Sequence, residues 1–210
     1  MSDKQRPKVL FIDWHKTLST SLFWTNHPGA LLSTQELSNT SHFLFSEPGL
    51  IDLWMKGFTN SERVAAEIGL ALNIDARKIL KELEHSCKAM KLYDPQVPAI
   101  VQEIRATGMR VVLATDNMDT FERWTVPALK LESMFDGIIT SVFRGALKSE
   151  IQDGYSPFFG HYLGQNGIKA QEAVLIDDSP IDKLVASIGL SFRPVNDPSQ
   201  LASMLKEFLK

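Results

Sequence analysis

Apolar residues along this chain fall into two patterns, short unbroken runs and longer stretches in which they recur every three or four positions. The runs lie in Lys8 to Ile12, Arg110 to Ala114, Gly137 to Ser141, Ala173 to Ile176 and Leu190 to Arg193. Segments of this length, rich in Val and Ile and without a polar face, are predicted to be buried strands of a parallel sheet. Helical spacing separates them. Ile100, Val101 and Ile104 predict a helix from Pro98 to Thr107 that stops at Gly108, and Phe158 to Asn166 is amphipathic and ends at Gly167. Pro180 is expected in the first turn of a helix from Ile181 to Ile188. Ser199 is expected to cap a last helix, Gln200 to Leu209, with apolar positions Leu201, Met204, Leu205 and Phe208. Strands alternating with helices predict an α/β fold, a Rossmann-like parallel sheet with helices on both faces.

The stretch 19–93 reads differently. It has no comparable strand pattern, and its signals are helical. Asn60 or Ser61 starts one helix through Val64, Ala65, Ile68 and Leu72, and Asp75 caps another with Ile79, Leu80, Leu83, Cys87 and Met90 as its apolar stripe. The predicted organisation is therefore a core of residues 1–18 and 94–210 with an all-helical insertion at 19–93.

Composition narrows the function classes. With 44% hydrophobic and 22% charged residues the chain is ordinary globular protein. A net charge of −3 with no dense Lys/Arg cluster gives no footprint for nucleic acid, so none is expected as a partner. No run approaches the ~18 apolar residues of a membrane span. The N-terminal residues lack the apolar core of a secretory signal, and a single cysteine, Cys87, permits no internal disulfide. The expected setting is the cytoplasm, and the chain is expected to act as a monomer or homodimer.

Chemistry concentrates where the runs end. Asp13, Thr115-Asp116-Asn117 and Asp177-Asp178 each follow a predicted strand, and open parallel sheets bind ligands beyond the carboxyl ends of their strands. Carboxylates brought together there repel unless a cation neutralises them, and Mg²⁺ is the hard ion suited to such oxygens. A carboxylate beside it can be a covalent nucleophile toward phosphorus. Thr115 and the backbone of Asp116 and Asn117 are then candidate phosphate donors, with Lys148 as the cation and Arg144 as an alternative.

These residues carry a resemblance. Val9 to Leu18, with Asp13-Trp14-His15-Lys16-Thr17-Leu18, resembles the first motif of the haloacid-dehalogenase-like hydrolase superfamily, an apolar strand followed by Asp-x-Asp-Gly-Thr-Leu. Val111 to Thr115 is similar to the second motif, Ser141-x-x-x-Gly145-x-x-Lys148 to the spacing around the third-motif lysine, and Leu175 to Ser179 with Asp182 to the acidic fourth motif. The insertion resembles the family's helical cap of the first subfamily. The resemblance implies a small phosphorylated substrate and a catalytic set of Asp13, His15, Thr115 and Lys148. It implies Mg²⁺ held by Asp13, the backbone carbonyl of His15, and Asp177 or Asp178, with Asp182 as outer support. Three departures stand out. His15 occupies the position of the usual acid–base aspartate, Lys16 that of a glycine, and Ser149 that of a proline. They keep two alternatives open, a dehalogenase or phosphonatase and a phospho-ligand binder without turnover. The aromatic residues Phe23, Trp24, Phe43, Phe45, Trp54 and Phe58 are expected mainly to pack, with a substrate pocket as the other reading.

Overall fold

The computed structural model describes residues 6–210; positions 1–5 of the expected core, and with them most of the N-terminal segment read for a signal, lie outside the described residues. Five strands form one parallel sheet: β1 Val9–Ile12, β2 Arg110–Thr115, β3 Gly137–Thr140, β4 Ala173–Asp177 and β5 Ser191–Pro194, in the order β3-β2-β1-β4-β5. Chain direction across the sheet reverses its build at β1, which pairs with β2 on one side and β4 on the other. That is the switch point at which open α/β sheets leave a crevice.

Alternation along the strands divides the interior in two. Leu10 and Ile12 of β1, Val111 and Leu113 of β2, and Val174 and Ile176 of β4 belong to one apolar cluster. Val9 and Phe11, Val112 and Ala114, and Ala173 and Leu175 belong to the other. Successive side chains point to opposite faces, so an unbroken apolar run feeds both.

The helices follow the same logic. Val97–Ala106 (α5) and Leu201–Lys206 (α11) cover the first face, and Pro157–Gln165 (α9) with Asp182–Ser187 (α10) cover the second. Between β1 and β2 lie α1 Thr34–Ser46, α2 Pro48–Met55, α3 Ser61–Leu72 and α4 Ala76–Lys88. Asn60 and Asp75 cap α3 and α4 through side-chain bonds to Arg63 N and Arg77 N, as their sequence positions predict. The first of the four helices is not among the elements expected, although Ser33 and Glu36 form a complete capping box at its start. Three short helices, α6 Val126–Leu129, α7 Leu131–Met134 and α8 Ser141–Arg144, and a π-helical turn at Phe121–Thr125 complete the chain.

Two local expectations are corrected. Pro180 precedes α10 instead of entering its first turn, because Ile181 is the cap residue. At the C-terminus Asp197, not Ser199, supplies the cap, accepting from Ser199 N across a 3₁₀ turn at Pro198–Gln200. The aspartate accepts the bond two residues on, which leaves the serine already inside the turn.

Leu37, Leu44, Trp54, Val64, Ile68, Ile79 and Leu83 of α1–α4 share one buried cluster with the first sheet face. Polar ties also cross this seam. Trp54 Nε1 donates to Asp119 Oδ1 at 2.6 Å, Ser61 Oγ to Asp119 Oδ2 at 2.8 Å, and Arg123 pairs with both Asp119 and Glu62. Gly57, at φ +76°, lies so close to α8 that a Cβ there would stand 2.7 Å from the carbonyl oxygen of Val142. Only glycine meets both demands.

Candidate active site

Asp13 leaves β1 with its N–H donating to Ile176 O of β4 at 2.9 Å, which holds the turn against the switch point. The following residues fold back tightly: Leu18 N and Ser19 N both donate to Trp14 O, and Lys16 N donates to Ser19 O. Lys16 takes φ +56° in this turn. A glycine would adopt that conformation at little steric cost, which is a physical reason for glycine at that position in the motif it resembles.

Asp177, the last residue of β4, is fully buried, and its Oδ1 accepts from Ser179 N at 2.8 Å. This bond closes a local turn. The acidic pair does not cap α10, which begins later at Asp182. One carboxylate oxygen each from Asp13, Asp177 and Asp178 lie within 4.8 Å of one another.

Lys148 reaches this group from the loop after α8. Its Nζ lies 2.6 Å from Asp13 Oδ1 and 2.5 Å from Asp177 Oδ2, with the side chain only 3% exposed. Asp116 fixes the loop by accepting Lys148 N at 2.9 Å, a role for its side chain beyond the backbone donor expected of it. Ser149 in place of proline therefore does not displace the lysine. Arg144, the alternative cation, is half-buried and forms no ion pair among the described residues. Asp182 is exposed and makes no side-chain hydrogen bond among the described residues, in contrast to the supporting position expected for it.

Charge decides what such a site can hold. Burial lowers the affinity of Lys148 for its proton, but the carboxylates of Asp13, Asp177 and Asp116 outweigh it and hold the ammonium above the usual lysine range. Burial pushes the Asp13 carboxyl up; Lys148 opposes this, while the charge of Asp177 adds to it. Asp116 is also raised by burial, against the pull of Lys148. The carboxylates of Asp13, Asp116, Asp177 and Asp178 outnumber the one ammonium of Lys148, and a divalent cation would offset the excess. Oxygen-only donors fit Mg²⁺.

Thr115 ends β2 beside this cluster's sheet and is 1% exposed, and its Oγ1 is buried with no hydrogen-bond partner. A buried hydroxyl without a partner is costly, and at the end of β2 it is free to donate to a bound group. The Asn117 N–H is committed to Ser141 Oγ at 2.9 Å, so it is not the free donor expected, and its Oδ1 accepts from Met118 N. His15 is half-buried on the turn. Burial and neighbouring Lys16 hold its pKa below the ordinary histidine value, with Asp178 pulling the other way.

Above the strand ends is a cavity of about 190 Å³ between β1, β2 and the inserted helices. Trp14, His15, Asp116 and Asn117 form its floor, and they follow Asp13 and Thr115 directly in the chain. Its far side is made by Phe23, Phe45, Ile51, Met55 and Met90. Sequence reasoning singled out Phe23 and Phe45 among aromatics expected mainly to pack. Trp24 and Trp54 do pack in the core, while Phe58 is exposed. Cys87 is fully buried on the α4 stripe, with burial pushing its thiol up to about 12, and His27, His42, His85 and His161 contribute to no metal-sized cluster among the described residues.

The chain matches no family model and no curated protein. Solved structures do match. A predicted HAD-like family hydrolase from Porphyromonas gingivalis aligns at TM-score 0.69 and 13% identity, covering 98% of this chain and 99% of that one. The HAD family enzyme BT-2542 from Bacteroides thetaiotaomicron aligns at TM-score 0.68 and 16% identity over 95% and 98%. That enzyme has also been solved with magnesium and inorganic phosphate. A 2-haloacid dehalogenase from Pseudomonas syringae aligns at TM-score 0.61 and 16% identity over 96% and 99%.

Proposed function

The chain has the fold of the haloacid-dehalogenase-like enzymes, and we propose that it is a Mg²⁺-dependent hydrolase of that class that cleaves small phosphate monoesters through a covalent intermediate on Asp13. The observation that carries this reading is the constellation of buried Asp13, Lys148 and Asp177 with half-buried Asp178, and with the unpartnered Thr115 hydroxyl at the end of the neighbouring strand β2. Its excess negative charge suits a divalent cation, and its lysine and threonine suit a phosphoryl group. BT-2542, of the same fold, binds both magnesium and phosphate.

Asp13, Asp178 and Asp177, with the backbone carbonyl of His15, would hold the ion. When bound, Mg²⁺ supplies positive charge to the phosphoryl oxygens and lowers repulsion between them and the nucleophile. Asp13 attacks phosphorus, the ester P–O bond breaks, and the leaving oxygen takes a proton. Water then attacks the phosphorus, breaks the bond to Asp13 and releases phosphate. Lys148 and Thr115 hold the phosphoryl oxygens throughout. His15, at the cavity floor, is the side chain placed to exchange a proton with the leaving oxygen or the water. Segment 19–93 acts as a cap that excludes water. Trp54, Ser61 and Glu62 fasten it to Asp119 and Arg123.

A second reading, halide displacement by the same aspartate, is favoured by the dehalogenase of like fold. Halide displacement needs no metal ion, however, and the clustered carboxylates of Asp13, Asp177 and Asp178 favour the metal-dependent reading. The test is phosphate release from phenyl phosphate and a panel of phosphorylated metabolites, with Mg²⁺ and with EDTA. Release that requires Mg²⁺ supports phosphatase chemistry. Release of halide from 2-haloacids without phosphate release would replace it with the second reading.

A further inference from the structure

We infer that the group carried by the phosphate is uncharged and apolar, about the size of one aromatic ring or a short alkyl chain. This rests on the phosphatase reading for the site's floor, but the evidence for it lies in the walls. The cavity's floor is formed by Trp14 and His15, which follow Asp13, and by Asp116 and Asn117, which follow Thr115; apart from these its lining is apolar except for Ser21. Sugar, polyol and amino-acid phosphates all carry hydroxyl or charged groups that lose water on entry. Leaving those groups without partners is unfavourable, and this recess offers few.

Further observations narrow the class. Ile51 and Met55 stand one helical turn apart on α2, so both reach the cavity from one face of that helix. Phe23 and Phe45 present nearly parallel rings, 8° apart in plane, at the same wall. Met55, Met90 and Met118 add three unbranched side chains that adjust to the shape of an apolar ligand. Finally, the recess itself holds about 190 Å³. This volume is close to that of a dry cavity that accepts benzene, roughly 150 Å³. Phe45 is 57% exposed and Leu22 45% exposed, although both are large and apolar. Other large apolar residues of the chain are as exposed, and what sets these two apart is that they line the cavity.

The experiment compares methyl through hexyl phosphate and phenyl phosphate with glycerol phosphate and glucose phosphate, all with Mg²⁺. Binding of methylphosphonate and phenylphosphonate is measured by calorimetry in parallel. The expected result is a kcat/KM that rises about fourfold per added methylene until the recess is full, with hexyl phosphate exceeding glycerol phosphate by at least about a hundredfold. Phe45→Ala should flatten the series by raising KM for the longer esters. Met55→Lys should shift preference toward 4-carboxyphenyl phosphate.

The two proposals fail separately. Hydrolysis that is equal across the series, or best with the polyol phosphates, overturns the apolar leaving group and leaves phosphatase chemistry standing. With no ester hydrolysed, tighter binding of phenylphosphonate than methylphosphonate, weakened by Phe45→Ala, would uphold the recess while the phosphatase reading falls. Equal binding of the two phosphonates without hydrolysis overturns both.

Discussion

The floor and the far wall of the cavity are built on opposite principles. Behind the floor, Asp13, Asp177 and Lys148 are held to within hydrogen-bond distance and almost sealed from water, each placed by the end of a strand or a loop tied to one. At the wall, Phe45 and Leu22 are exposed, and methionines and aromatics from separate segments meet without a polar bond between them. Buried charges tolerate little displacement, because a lost partner leaves an uncompensated ion. Apolar contacts tolerate much more. The difference suits a division of labour in which rigid strand ends carry the bond chemistry and an adaptable wall chooses the substrate.

That contrast can be broken most forcibly at the floor. Asp13→Asn should abolish phosphate release, by roughly 10⁴-fold or more, since removing a nucleophile removes the pathway. A circular dichroism spectrum like the wild type's would show that the loss is chemical. Next in size is Lys148→Met, which leaves Asp13 and Asp177 facing each other in the interior. It should cost about 3–5 kcal/mol in denaturant unfolding, and Mg²⁺ should restore part of that by binding the folded state. An unchanged midpoint would mean that the two carboxylates are not both charged in the folded protein.

The seam between the regions comes third. Asp119→Ala strips partners from Trp54, Ser61 and Arg123 at once and should destabilise by about 1–3 kcal/mol. Phe45→Ser, at the wall, should change stability by less than about 0.5 kcal/mol. It should still alter KM for apolar esters. A large stability loss there would make Phe45 a packing residue after all.

The smallest effect lies away from both. His27 Nε2 is 2.8 Å from Glu82 Oε2, and that hydrogen bond holds the imidazole above its usual value of 6.5. A raised folded pKa means that stability from this pair is fully present below about pH 6.5 and is lost as pH rises through the higher folded value. Melting temperatures across that window should fall more steeply for wild type than for His27→Gln.

The same two principles explain what the sequence made legible. Asp13, Thr115 and Asp177 sit directly after apolar runs, so their convergence follows from a parallel sheet alone, and the strands appear within a residue or two of their predicted ends. Lys148 is marked only by the resemblance of Ser141-x-x-x-Gly145-x-x-Lys148 to the third motif of the superfamily. The wall was not legible, because Phe23, Phe45, Met55, Met90 and Met118 come from different segments and share no period. Among the aromatics, nothing local separates Phe45, which lines the cavity, from Trp54, which the core buries completely. The side-chain role of Asp116 was missed for a similar reason, since its partner is the backbone N–H of a residue 32 positions away.

The most direct test of Asp13 as a covalent nucleophile is an acid quench of a single turnover with radiolabelled phenyl phosphate and Mg²⁺. Label should remain on the wild-type protein, be released by hydroxylamine as an acyl phosphate is, and be absent from Asp13→Asn. Rapid phosphate release with no label on the protein, and with Asp13→Asn as fast as wild type, would show that Asp13 is not the nucleophile.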